Sequence, residues 1–454
     1  MILKRLIAIS VVFALVAGTA FAVDLGGNVI GTVNFLEGSN AKDANDNTYP
    51  LGASAGMNRI RLEGSGENDD GTFGGWIRFD MGGDATALNP QPWEAPGFLA
   101  ASLWGHAWWK PIDMLKLWIG SNGGDGFFGK EGVTGWMFYQ TASDTGVVNP
   151  GNVWGGSYLG GDPVIFRNAF YAGGIDGGNA FYMTISPIDL IDINIEVPFF
   201  NGEAYDPDTN PGGSASYIFQ RTVAQVDVKL DFGNIALTYA GAGNKYEPTL
   251  TIGPTGIPDL KGAPDPGKFF LYFGLTSIEN LGIDVGLGFP LPLNHIFEKD
   301  ELGAGFPEVK VTRVSPLAAG LGVKFTTGSF GIKARFVANF AGSVKAEPDQ
   351  GTAPDPLKDP VNVLVDILPF FSINDNLTVF LSAGLGIAGK AAKNDDWGKA
   401  EGDSTTAWHI NPYVQAGQEW GPKFLAGLRL QGSKTGDADG SVSWSIPLAL
   451  HVGF

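Results

Sequence analysis

The sequence predicts an all-β fold: one antiparallel β-barrel crossing a membrane on about eighteen strands, or about sixteen by the nearest alternative count. Three observations carry this. Apolar residues alternate with small or polar ones over long stretches. Alternating hairpins recur from end to end. The connections between strands fall into two length classes.

The final segment shows the alternation most cleanly. In "SVSWSIPLALHVGF", residues 441–454, Val442, Trp444, Ile446, Leu448, Leu450, Val452 and Phe454 fall on one side of an extended strand. A helix would scatter them around its axis, because only a period of two gathers every second residue. The same pattern runs through "FFSINDNLTVFLSAGLGI", where Leu377, Val379, Leu381, Ala383, Leu385 and Ile387 oppose Thr378, Ser382, Gly384 and Gly386. It recurs where Phe330, Ile332, Ala334, Phe336, Ala338 and Phe340 alternate with Lys333, Arg335 and Asn339.

Within each hairpin the reversal is short and built from Asn, Asp, Gly or Pro, as tight turns require. Between hairpins lie longer segments rich in Gly, Pro, Asp and Asn: 37–50, 83–97, 121–163, 201–214, 244–266, 291–312, 342–357, 390–404 and 433–440. Short turns at one rim and long loops at the other are the pattern of a transmembrane barrel. In lipid every backbone N–H and C=O must be paired, so a sheet survives there only if it closes. The apolar face then looks outward, and the Gly and Ser of the other face imply a lumen that is not packed shut.

Residues 1–22 read as a secretory signal peptide: basic "MILKR", apolar "LIAISVVFALV", and the small-residue site Ala20-Phe21-Ala22. The barrel is expected over 23–454. No later run reaches the length of a transmembrane helix. The chain has no Cys, which excludes disulfides and a lipid-modified Cys. Its net charge of −18 becomes −20 once Lys4 and Arg5 leave with the signal. That balance argues against a nucleic-acid partner.

Parity assigns charges to the lumen. Arg59, Arg61 and Arg78 form one basic patch beside Glu63 and Asp80. Lys324, Lys333 and Arg335 form a second, with no acid on its own stretch of chain. Lys229, Lys423 and Arg429, and the acids Asp192, Glu196, Asp227, Asp284, Asp366 and Glu419, are further lumen candidates. Most of the acidic excess lies in the long segments, such as "KDANDN" and "KNDDWGKAEGD". Trp104, Trp108, Trp109, Trp118, Trp420 and Trp444 are expected in the interfacial aromatic girdle.

On its alternating last strand and terminal Phe454, the chain resembles bacterial outer-membrane β-barrel proteins, and more loosely the diffusion porins. That resemblance implies a site in the cell outer membrane and contact with outer-membrane lipid. It implies recognition of Phe454 by the barrel-assembly machinery and, as in many porins, a homotrimer. It also implies that the long third loop, 121–163, folds into the bore, so that Phe127, Phe128, Trp136 and Tyr139 line a constriction.

Other motifs carry little. "GLGIAG" at Gly384 lacks the following helix of a dinucleotide site. "DANDN" and "DPDTNPGG" lack the distal Glu of a Ca²⁺ loop. His106, His295, His409 and His451 have no zinc spacing, and no nucleophile is marked beside His106 or His409. The expectation is a non-enzymatic, cofactor-free channel for passive diffusion of small polar or charged solutes. A hydrophobic-substrate transporter and a surface adhesin acting through the loops are the alternatives.

Overall fold

A computed structural model describes residues 22–40, 52–81, 101–121, 179–198, 222–240, 251–252, 258–259, 268–291, 293–297, 308–314, 317–340, 342–348, 355–358, 360–390, 402–417 and 422–453. Its strands are β1 (Ala22–Ser39), β2 (Gly52–Glu67), β3 (Phe73–Met81), β4 (Ala101–Ile112), β5 (Leu115–Ser121), β6 (Asn179–Ile188), β7 (Ile191–Pro198), β8 (Val223–Leu230) and β9 (Gly233–Ala240). There follow β10 (Thr251–Ile252), β11 (Pro258–Asp259), β12 (Lys268–Ile278), β13 (Leu281–Pro290), β14 (Leu293–Phe297), β15 (Val309–Val314), β16 (Leu317–Thr327) and β17 (Phe330–Phe340). The last are β18 (Ser343–Pro348), β19 (Leu357–Lys358), β20 (Asn362–Asn374), β21 (Leu377–Ala388), β22 (Thr405–Gly417), β23 (Lys423–Gly427), β24 (Arg429–Thr435) and β25 (Ser441–Gly453). The fold is all-β, and its main body is a 19-stranded sheet in which every pairing is antiparallel.

Pairing runs in chain order. β9 passes to β12, β13 to β16 and β17 to β20, so that β10, β11, β14, β15, β18 and β19 stand outside the main sheet. β25 pairs with β1 from Asn28–Gly453 to Ser39–Ser443, and the ladder thereby returns to its first strand. β23 and β24 lie end to end between β22 and β25 in one register. Their break falls at Leu428, opposite Pro412. Leu428 N donates to Pro412 O at 2.9 Å, but proline has no N–H with which to answer.

Short reversals join the hairpins: Asp113 and Met114 between β4 and β5, Asp189 and Leu190 between β6 and β7, Gly328 and Ser329 between β16 and β17. At Glu279–Asn280, between β12 and β13, Asn280 takes φ 65°, a left-handed conformation that Asn tolerates better than most residues. Segments 291–312 and 342–357, expected as loops, carry strands instead. β14, β15, β18 and β19 form a separate four-stranded sheet. In it Val309, Val311 and Ala346 are buried while Lys310, Lys345 and Glu347 are exposed.

The two faces of the main sheet differ in the opposite sense to a soluble protein. On β25, Ser445 and Ala449 are buried, whereas Leu450 is 53% exposed. On β20, Asp366 is buried between exposed Val365 and Ile367; on β22, Asn411 is buried beside exposed Ile410. The apolar face is therefore the outer one. The other face is not uniformly polar, however. Leu368, Tyr413, Leu425 and Ala449 cluster there with Phe380, whose ring stacks on Tyr413 at 4.7 Å. Beside the inward Gly and Ser stand larger side chains from β20–β23, with Phe370 over Gly331 and Tyr413 beside Gly427.

Candidate functional site

The inner face carries the candidate residues. Register places Arg61 opposite Asp80 and Glu63 opposite Arg78 on the β2–β3 ladder, and Arg59 opposite Ile30 on β1. Arg78 Nε donates to Glu63 Oε1 at 2.6 Å, and Arg61 Nη1 lies 3.5 Å from the same oxygen. Two guanidiniums thus share one carboxylate, and the Arg78 guanidinium also sits 4.8 Å from the Trp76 ring centroid.

The second patch is less isolated than its own stretch of chain suggests. Arg335 Nε donates to Asp366 Oδ2 at 2.6 Å, because β17 pairs with β20 and sets the two residues directly opposite. Arg335 is thus a paired residue, with an acid supplied by the neighbouring strand. Lys324 and Lys333 stand opposite each other on β16 and β17, both half-buried.

Acids on this face are deeply buried: Asp284 at 0%, Glu196 at 1%, Asp366 at 3% and Asp227 at 5% exposure. Tyr272 Oη donates to Asp284 Oδ1 at 2.6 Å, and Lys229 Nζ reaches Asp192 Oδ2 at 2.6 Å. Burial of this degree holds charges only when they are paired or hydrogen-bonded. Lys423, also expected inside, is 1% exposed. Arg429 donates through Nη2 to Gln431 Oε1 at 2.7 Å.

The tryptophans divide between the faces. Trp109, 55% exposed, is on the outer face, and so is Trp444. Trp108 and Trp118 share register with Gly74 and Tyr182 on the inner face, which corrects their assignment to the girdle, while the side chain of Trp104, paired in register with Arg78, lies outside the described ones. Physically, strict alternation sends adjacent Trp108 and Trp109 to opposite sides. Inside, Trp76 stacks on His106 at 5.4 Å, His106 meets Trp118 at 4.9 Å, and Lys116 Nζ lies 4.1 Å from the centroids of both Trp108 and Trp118.

One contact was hidden from the sequence. Ser382 Oγ and His409 Nε2 are 3.0 Å apart on β21 and β22, so a hydroxyl does stand beside His409. Nothing in chain order marks it, because strand pairing brings the two together. Ser382 is 5% exposed in a strand laddered on both sides, so neighbouring N–H groups are committed to sheet bonds instead of forming an oxyanion site. Phe127, Phe128, Trp136, Tyr139, Trp420, Glu419, Phe454 and the segment 1–21 lie outside the described residues. Among the described residues, no group of His, Asp and Glu could hold a metal ion.

No family model matches the chain, and no curated protein matches it. Several solved structures are similar to it. OmpT, an outer membrane protein of Vibrio cholerae, is 11% identical with a TM-score of 0.41, over 96% of this chain and 98% of that one. An anion-selective porin from Comamonas acidovorans is 11% identical with a TM-score of 0.40, over 96% and 100%. The outer membrane channel DcaP of Acinetobacter baumannii is 10% identical with a TM-score of 0.41, over 96% and 98%. Likeness at this level carries no argument about function.

Proposed function

We propose that the chain is a bacterial outer-membrane channel through which small polar or charged solutes diffuse passively. The observation that supports it most is the inverted exposure of the sheet. Ile119, Leu385 and Leu450 are 56%, 44% and 53% exposed on one face, while Asp284, Asn411 and Lys423 are at most 1% exposed on the other. Water would not tolerate that outer face over a whole sheet, whereas hydrocarbon requires it.

With β23 and β24 taken as one stave and β25 joined to β1, the reading is a closed barrel of about eighteen staves. A closed antiparallel sheet has no free edge to expose in lipid. Segment 1–22 then serves export, and loop 121–163 narrows the bore.

Liposome swelling with sugars of graded size tests this. The purified chain is expected to require detergent or lipid, and swelling is expected to slow as the sugar grows. A chain that dissolves as a compact monomer without detergent, or liposomes that swell with no sugar, would overturn the reading.

A further inference from the structure

We propose that two lysine pairs just inside the short turns, Lys110 with Lys116 and Lys324 with Lys333, form the zone that selects solute charge, and that the preferred solute is a small anion. This rests on the channel reading above.

Lys324 and Lys333 are directly opposite each other, an arrangement of like charges that opposes strand pairing. On its other side Lys324 faces Gly282, which offers no side chain. Among the described residues no carboxylate lies within ion-pair distance of Lys324. Lys116 is held differently. Its ammonium sits between the Trp108 and Trp118 rings, 4.1 Å from each centroid, again with no described carboxylate at ion-pair distance. An indole face attracts a cation through its quadrupole and leaves the full positive charge in place. Lys110 Nζ lies 3.5 Å from Asp113 Oδ1, but that carboxylate is wholly solvated in the turn and screens weakly.

Asp284, Glu196, Asp366 and Asp227 on the same face are withdrawn into the wall, and Glu63 and Asp192 are paired with Arg78 and Lys229, whereas Lys116, Lys324 and Lys333 are half-buried and meet solvent. Glu67, exposed on this face, is the acid that acts on Lys116. Two ammonium groups directly opposite each other make the wall at Lys324 and Lys333 locally positive, although the chain as a whole carries −18, and Lys116 adds to this against the opposing charge of Glu67. The two pairs are also well separated around the ladder. β6, β7, β8, β9, β12 and β13 lie between them in one direction, and β20 to β25 with β1 to β3 in the other. In the closed tube they face each other across the bore near its short-turn end. Rings of Lys or Arg are the arrangement that passes anions.

The test is the reversal potential of the purified mature chain in a planar bilayer under a potassium chloride gradient. Chloride is expected to be the more permeant ion. Lys116→Gln with Lys324→Gln is expected to move the reversal potential toward zero. Lys324→Gln alone, with glycine beside it, disturbs packing least and is expected to move it part of the way. Lys345→Gln with Lys358→Gln, in the separate four-stranded sheet, is expected to leave it unchanged. Preference for potassium in the unaltered chain, or an unmoved potential in a conducting Lys116→Gln, Lys324→Gln variant, overturns the lysine assignment alone. Absence of any conductance overturns the channel reading and this inference with it.

Discussion

Arg335 and Asp366 face each other across the β17–β20 ladder, with Nε 2.6 Å from Oδ2 and side-chain exposures of 14% and 3%. Removing one member of such a pair leaves the other charged and desolvated. Asp366→Asn is therefore expected to cost about 3–5 kcal/mol of stability. The double change Arg335→Met, Asp366→Leu removes both charges and is expected to recover most of that loss. Urea unfolding from lipid vesicles measures both. Equal losses in the two proteins would show that the pair is not what holds this part of the wall.

Glycines opposite aromatic rings give a second prediction. Trp108 lies over Gly74 and Trp408 over Gly432, each in register on the adjacent strand. A Cβ at Gly74 would stand 2.6 Å from Trp108 Cζ2, and one at Gly432 would stand 2.7 Å from Trp408 Cε2. Phe370 covers Gly331 in the same way. Overpacking at such sites costs about 1–3 kcal/mol, which is the loss expected for Gly74→Ala or Gly432→Ala. At Gly440 the nearest atoms to a Cβ are at ordinary contact distances of 3.5 and 3.8 Å, so Gly440→Ala should be nearly silent. Unfolding midpoints compare the three directly.

Much of this architecture is legible in the sequence because alternation is local. The outward set Ile446 and Leu450, and the inward set Ser445 and Ala449, can be read from one strand without knowing its neighbours. What depends on pairing cannot be read so. The acid beside Arg335 comes from β20, beyond β18 and β19, and the hydroxyl beside His409 comes from β21. The inward turn of Trp108 and Trp118 was open to a parity argument. However, "WGHAWWK" places tryptophan on both faces, and only the register with Gly74 and Tyr182 decides between them. β14, β15, β18 and β19 escape for the same reason, since they pair mainly with one another across long stretches of chain.

The β2–β3 turn, outside the membrane-spanning strands, supplies a pH prediction. Asp70 Oδ1 accepts from Thr72 Oγ1 at 2.7 Å and from Thr72 N at 3.1 Å, and Asn68 Nδ2 also donates to it. The Thr72 hydroxyl first, and then its backbone N–H, hold the carboxyl below its ordinary 3.8. A carboxyl lowered on folding stabilises the turn above its unfolded pKa, and that contribution is lost as pH falls through the lowered folded value. An NMR titration should place Asp70 below 3.8 and should show it rising in Thr72→Val. An unchanged Asp70 in that variant would exclude the hydroxyl as the cause.

Hydrocarbon on the outer face is testable one residue at a time. Leu381 lies mid-strand on β21, 40% exposed, beside the buried Ser382. A lysine there must reach the interface from within lipid, which costs about 2–4 kcal/mol near the midplane of a bilayer. Leu381→Lys is expected to lose that much stability in vesicles. Trp109 and Trp108 provide the matching spectroscopic contrast, since adjacent residues point to opposite sides of the sheet. In single-tryptophan proteins, bromine-labelled acyl chains should quench Trp109 strongly and Trp108 little. Equal quenching of the two, together with a harmless Leu381→Lys, would mean that this face does not look at lipid. The exposed rows of Val, Leu, Ile and Phe would then need a protein partner to cover them.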